Sequence, residues 1–354
     1  MRPVAAQTRT RIVRLVRQEI RSKHVRLANA LAKFSALALC AAGVALGAAT
    51  LAYAQTYPQR PVRVIVAFAA GGVADLQTRI VAQKLSELWQ TSVVVDNRPG
   101  AGGNIAAGIA ARAQPNGYTL LTCNFATHGL NPAAYSKLPY DPLKDFAPIA
   151  LIGTAPSVLA VHPSQPSRSM SELLAFAKAH PGKLTMGSSA GGTSQYLSVE
   201  LLKMMTGVDL TYVPYKGGAP ALTDLLGGQV QSIIAALPTV IGFLPGGRMR
   251  ALGVTSAARS PQVPNIPTIA ESGVPGFEVV GWNGLCAPAG TPPAIINKVS
   301  ADTTRAVNAP DTRQRLVEQG TDTRPMTPAQ FDAFMRAEIA KWGKVARAVG
   351  LKLD

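Results

Sequence analysis

The chain has 354 residues, 47% of them hydrophobic and 15% charged, with 32 Gly and 27 Pro. That is enough for two ordinary domains, and it excludes coiled-coil, collagen-like and wholly disordered chains. The net charge of +16 raises the question of nucleic acid, but nine Lys or Arg and only one acid (Glu19) lie in the first 54 residues. The remainder carries no basic run and no aromatic residues interleaved with Arg, so a solvated basic surface is expected and nucleic-acid binding is not.

The basic N-terminal stretch passes into an Ala-rich apolar segment from Phe34 that ends at Ala52-Tyr53-Ala54. A small-x-small site after a basic and then an apolar region predicts an export signal cut after Ala54, with delivery to the periplasm. A membrane-spanning helix is disfavoured, because the segment is modestly apolar and no stop-transfer charges follow it. The basic stretch exceeds what a leader needs, and a start near Val25 would leave one of normal shape. Cys123 and Cys286 remain in the exported part. An oxidising compartment allows them to pair, but two buried free thiols are the favoured reading for a chain with a core this large. No Cys/His cluster suggests a metal.

Val62-Arg-Val-Ile-Val-Ala-Phe68 reads as a buried strand, Ala69-Ala-Gly-Gly72 as a turn, and Ala74 to Trp89 as an amphipathic helix. Ser92–Asp96 is the next strand, Asn97–Asn104 a Gly-rich loop into an Ala-rich helix, and Tyr118–Thr122 a third strand. This βαβαβ order predicts a parallel sheet with right-handed crossovers. A second set starts near Val158. It comprises a helix from Ser171 capped by Ser169 or Ser171, a strand at Lys183–Met186, a helix from Gln195 to Met205, and a strand at Leu210–Val213. A helix from Ala219 to Leu226 and strands at Gln229–Ala235 and Arg250–Thr255 complete it. A strand between Phe277 and Ala287 leads back to the first set, and Pro293 to Leu351 reads as helical. Two α/β lobes follow, with a ligand site beyond the carboxyl ends of the strands and in the cleft between them.

Phe68-Ala-Ala-Gly-Gly-Val-Ala-Asp75 joins a strand to a helix, so its backbone N–H groups and the positive helix end can hold an anion. The same residues also fit a plain βα turn in which Asp75 partners the helix dipole. Gly187-Ser-Ser-Ala-Gly-Gly-Thr-Ser-Gln195 is a second such loop, richer in hydroxyls, and it matches G-x-S-x-G with Ser189 at the nucleophile position. A hydrolase of that fold needs a His after the nucleophile. All four His (His24, His128, His162 and His180) precede Ser189, so an enzyme is not expected. Gly100-Ala-Gly-Gly103 lacks the third glycine of a dinucleotide fingerprint and is read as structural, and no cofactor is expected. Lys216, after Tyr215, could counter a carboxylate or simply lie in solvent.

Taken in order, Tyr57-Pro-Gln-Arg-Pro, Gly71-Gly-Val-Ala-Asp75, Val93-Val-Val-Asp-Asn-Arg-Pro-Gly-Ala-Gly-Gly103, Asn116-Gly-Tyr-Thr-Leu-Leu121, Leu138-Pro-Tyr-Asp-Pro142, Val213-Pro-Tyr-Lys-Gly217 and Ala287-Pro-Ala-Gly-Thr-Pro292 resemble the substrate-binding proteins of tripartite tricarboxylate transporters, the Bordetella uptake protein family. The resemblance runs from Tyr57 to Leu351. It implies a type II periplasmic-binding-protein fold, two α/β lobes with a ligand cleft between them: residues 55–155 plus 283–354 in the first lobe and 156–282 in the second. It implies a small carboxylate held by Phe68, Ala70, Gly71, Gly72 and Asp75 of one lobe and Ser188, Thr193, Gln195 and Tyr215 of the other, with Asn124 and Thr127 on the cleft wall. It also implies delivery to a large and a small integral membrane subunit by a monomer. Presentation of the ligand to a membrane sensor would use the same fold and site. Many relatives carry His where this chain has Tyr196, and Phe-Asp where it has Ile234-Ala235. An acid missing at Ala235 leads to the expectation of a carboxylate ligand without an ammonium group.

Overall fold

The computed structural model describes residues 57–189 and 191–353; the basic stretch and the Ala52-Tyr53-Ala54 site lie outside them. Every element below belongs to the unit Pro58–Asp354. Strand β1 (Val62–Val66) lies between two parallel partners, β2 (Val93–Asn97) and β3 (Thr119–Asn124), with Val64 opposite both Val95 and Leu120. A strand covered on both faces needs apolar side chains at consecutive positions, and Val-Arg-Val-Ile-Val supplies them except at Arg63, which pairs with Asp96 of β2. The connections are helices α1 (Val73–Trp89) and α2 (Asn104–Ala111). In α2 the fully buried Ala106, Ala107 and Ala110 keep the buried face small enough for close packing.

The second group begins with helix α3 (Met170–Ala179), whose N-cap Ser169 accepts from the N–H of Glu172. It continues with strand β5 (Thr185–Ser189), helix α4 (Ser194–Thr206), strand β6 (Thr211–Tyr215), helix α5 (Gly218–Leu226) and strand β7 (Ser232–Ala236). Strands β5, β6 and β7 are mutually parallel through β5. Strand β8 (Arg250–Val254) follows, and β9 (Val280–Pro288) returns to the first group antiparallel to β3.

The joint between the groups is β4 (Phe146–Val161), which is longer than the sequence reading gave by its first twelve residues. From Phe146 to Pro156 it pairs antiparallel with β9, and from Ser157 onward with β7 and β8. Pro148 hides it from a strand pattern because proline cannot donate to a ladder, and the register slips beside Pro148 and again beside Gly153, where the bulges accommodate the defect. Gly153 is required there: a Cβ would lie 2.7 Å from the carbonyl oxygen of Asp322 in the two-residue strand β10 (Asp322–Thr323). The sheet order is β2-β1-β3-β9-β4-β7-β5-β6, with β8 and β10 also on β4.

The tail forms helices α6 (Pro293–Asn308), α7 (Pro310–Glu318) and α8 (Pro328–Ala348), interrupted by β10. A capping box between Thr327 and Gln330 starts α8. Its Glu338 accepts from the indole N–H of Trp282 on β9 (2.9 Å) and of Trp342 (2.8 Å), which ties α8 to the crossing strand. Burial pushes the Glu338 carboxyl above its ordinary range against the pull of these donors. No described helix is long and apolar enough to cross a membrane.

Cys123 and Cys286 form a disulfide, which corrects the expectation of two free thiols. Antiparallel register sets Cys123 opposite Gly284 and Leu121 opposite Cys286, so the two cysteines are diagonal neighbours with Cα atoms 5.8 Å apart. Spacing could not reveal this, because the partners are 163 residues apart and meet only through the return of β9. The bridge closes a loop holding the entire second group of strands. Replacing both cysteines with Ser should lower unfolding free energy by about 2–5 kcal/mol, read as a lower denaturation midpoint, with ligand affinity unchanged. An unaltered midpoint would show that the bridge adds no stability.

Candidate functional site

The carboxyl ends of β1 and β5 each open into a Gly-rich loop and a helix N-terminus. After β1, residues 69–71 are exposed and Gly71 adopts φ +80°, a conformation that favours glycine. Gly72 is the N-cap of α1 and offers no side chain to the helix end; the first helical bond is Leu76 N–H to Gly72 O at 2.9 Å. The N–H groups of Val73, Ala74 and Asp75 therefore have no partner within the helix.

Asp75 is only 2% exposed, and its carboxylate is turned inward to hold this loop. It accepts from the Gly71 N–H (2.9 Å), from Asn97 Nδ2 (3.0 Å) and from Arg79 Nε (2.9 Å). Asn97 Nδ2 also donates to the Phe68 carbonyl at 2.9 Å. Burial opposes ionisation, but the donors Arg79, Gly71 and Asn97 and the charge of Arg79 hold the carboxyl below its ordinary range. Its contribution is thus complete at neutral pH and is lost only on acidification below about pH 4. The sequence reading named Asp75 as a ligand contact; its hydrogen bonds here come from Gly71 of the loop, Asn97 of β2 and Arg79 of α1. Asn97, which pins both ends of the turn, was visible only as part of a landmark.

In the loop after β5, three hydroxyls converge on the Ser189 carbonyl: Ser188 Oγ at 3.0 Å, Tyr212 Oη at 3.0 Å and Thr193 Oγ1 at 3.4 Å. Thr193 is also the N-cap of α4 and accepts from the Tyr196 N–H at 3.2 Å. Gln195 follows in the first turn and is half-buried. This loop meets residues of the first group. A Cβ on Gly192 (φ +90°) would lie 3.3 Å from Asn131 Oδ1 and 3.6 Å from the Gly102 Cα, and one on Gly191 would lie 2.7 Å from Leu353. Ser194 packs on the crossing strand, its Oγ 2.8 Å from where a Gly281 Cβ would be.

Asn124 and Thr127 lie at the carboxyl end of β3. Asn124 Oδ1 accepts from the N–H groups of Ala126 (3.0 Å) and Thr127 (3.1 Å), which leaves its Nδ2 donor buried and unpartnered. Asn131 donates to Gly102 O (3.0 Å) and Asn104 Oδ1 (2.8 Å), and its own Oδ1 is the buried atom without a partner. Buried unpaired groups are costly enough to require an explanation, and two at one edge of the sheet suit a site for a polar ligand. Nothing in the sequence singled out Asn131. His128, fully buried with Nδ1 2.9 Å from Thr127 Oγ1, is held neutral by desolvation, its pKa pushed down to about 3.

Tyr215 lies opposite Ser189 in the β5–β6 ladder, and Ala235 follows Ile234, which pairs with Ser188. The Tyr215 hydroxyl donates to Asp224 at 2.7 Å, and burial together with that acceptor raises its pKa to about 12. Ala235 has no exposed surface and belongs to the apolar cluster of Val158, Leu222 and Val254. The described histidines hydrogen-bond elsewhere than Ser189: His128 to Thr127, His162 to Ser164 and His180 to Phe176. The two Gly-rich loops contain no Lys or Arg. They can recognise an anion through N–H groups, hydroxyls and a side-chain amide, with no fixed cation.

Residues 77–351 match the family model described as the tripartite tricarboxylate transporter family receptor. The chain is 36% identical over 308 residues to Protein BugT of Bordetella pertussis, covering 87% of this chain and 94% of that protein. A Rhodopseudomonas palustris protein solved with adipate, Rpa4515, aligns with TM-score 0.80 at 39% identity over 84% of this chain and 99% of its own. MatC from Rhodopseudomonas palustris, solved with bound malate, aligns with TM-score 0.76 at 35% identity over 82% of this chain and 99% of its own. The fold they share with this chain is that of periplasmic binding proteins: two α/β lobes with a ligand cleft between them.

Gly192→Ala should weaken ligand binding roughly 5–30-fold, since a Cβ costs about 1–2 kcal/mol at positive φ and also crowds Asn131. Isothermal titration calorimetry reads the loss, and unchanged affinity would show that Gly192 plays no part in binding. Asp75→Asn should lower the melting temperature and weaken binding together, because an amide cannot accept from all of Arg79, Asn97 and Gly71.

Proposed function

The chain belongs to the tripartite tricarboxylate transporter receptor family, and from that premise we propose that it captures a small dicarboxylate without an ammonium group and hands it to its membrane transporter. The observation that carries this reading is the uncapped N-terminus of α1, a 17-residue helix, at the same sheet edge as the unpartnered Asn124 amide. A ligand carboxylate on the N–H groups of Val73 and Ala74 gains from the helix dipole without a counter-cation, and Asn124 Nδ2 offers a further donor. The loop of Ser188, Thr193 and Gln195 then closes over it from the other lobe.

In this reading residues 55–155 plus 283–354 make the first lobe and residues 156–282 the second. Binding shifts an open–closed equilibrium by the extra contacts made only when closed, and the closed form is the one delivered. No covalent chemistry is assigned, and the partners are a large and a small integral membrane subunit served by a monomer. The adipate and malate bound to the two Rhodopseudomonas palustris relatives are both carboxylates without an amine, which supports that choice of ligand class. The leader is cut after Ala54, and the buried disulfide is in keeping with an oxidising compartment.

Thermal-shift measurement on the chain from Gln55 tests the ligand class, since a ligand that binds the native state raises apparent stability. Adipate or malate should raise the melting temperature in a saturable way, and aspartate should not. A larger shift with aspartate would overturn the preference for an amine-free ligand. N-terminal sequencing of the exported protein should begin at Gln55, and any other start would move the cleavage site.

A further inference from the structure

A surface groove of about 400 Å³ lies outside the loops just described. It runs between α2 and the segment 135–139 and is lined by Ile105, Gly108, Ile109, Arg112, Lys137 and Pro139. Ile105 is 50% exposed. The floor is open because position 108 is glycine: a Cβ there would lie 3.3 Å from Pro139 and 3.5 Å from the Arg112 guanidinium. Arg112 and Lys137 are both exposed, and neither makes an ion pair with a described residue.

One end of this groove is also part of the contact between the lobes. Ala101 and Asn104 line that end, and Asn104 Oδ1 accepts from Asn131, whose own Oδ1 faces Gly192 of the second lobe. Gly102, between them, lies 3.6 Å from a Cβ on Gly192. Ala101 is held at φ +47°, which a residue with a Cβ adopts only when its surroundings impose it. Withdrawal of the Gly191–Gly192 loop would remove one wall from this turn and let it relax.

We propose that this groove receives an acidic segment with an apolar anchor from the membrane partner, and that it is fully formed only in the closed receptor. The inference rests on the transport reading above. Exposed Ile105 and half-buried Ile109 over a glycine floor fit an apolar side chain, and Arg112 and Lys137 complement acids on either side of it. A partner that must tell a loaded receptor from an empty one needs contacts that differ between the two states. The Ala101–Asn104 turn supplies them, because it touches both the groove and the closing loop.

The test uses the full exported receptor and its membrane subunits in proteoliposomes, comparing wild type with Arg112→Glu/Lys137→Glu and, separately, Ile105→Asp. Both variants alter exposed side chains outside the ligand loops, so ligand affinity should remain within about twofold of wild type while receptor-driven uptake falls at least tenfold. Uptake equal to wild type in both variants would overturn the proposal. Two further outcomes would also overturn it. A wild-type dimer made monomeric by the variants would show that a second copy fills the groove, and variant-sensitive binding to anionic vesicles without the subunits would show a lipid surface. Ligand-independent uptake, or none, with wild type would instead defeat the transport reading itself.

Discussion

The structure depends on the antiparallel pairing of β4 with β9. These strands carry the chain out to the second lobe and back, and they share a ladder from Phe146–Pro288 to Pro156–Val280 before β4 moves on to β7 and β8. The pair is held from several directions. The Cys123–Cys286 bridge ties β9 to β3, Glu338 ties Trp282 to α8, and the Phe331 ring lies so close to Gly284 that any Cβ there would collide with it. The crossing is thereby fixed on the side of β3 and α8, while beyond Pro156 and Val280 these ties are absent among the described residues.

In the proposed site, recognition rests on backbone N–H groups. The one acid in the first loop, Asp75, directs its charge to Gly71, Asn97 and Arg79, and so fixes the turn that presents the N–H groups of α1. The hydroxyls of the second loop likewise converge on the Ser189 carbonyl. Polar side chains named as ligand contacts from the sequence also make hydrogen bonds within and beside the two loops. Preorganised donors lose little entropy on binding, which allows an anion to be held without Lys or Arg.

Much of the fold was legible where short apolar strands lead into glycine-containing turns and helices, as after β1. Val62-Arg-Val-Ile-Val could scarcely be anything else, and the Gly71-Gly72 and Gly191-Gly192-Thr193 turns announce helix starts. What escaped were features set by distant parts of the chain. The first part of β4 is interrupted by Pro148, and its pairing becomes evident only beside β9. The disulfide depends on that same return, and Asn131 gains its place only when Gly192 meets it. Ala235 was chosen for what relatives carry at its position, yet it lies in the apolar cluster under α5.

The central claim is that a ligand carboxylate sits on the N-terminus of α1. Backbone and side-chain amide NMR of the ¹⁵N-labelled receptor, titrated with the tightest-binding dicarboxylate, tests it most directly. The account predicts that the largest downfield changes fall on the N–H groups of Val73 and Ala74 and on the Asn124 side-chain amide. Changes confined to the Lys216 loop, with the α1 amides unmoved, would contradict it.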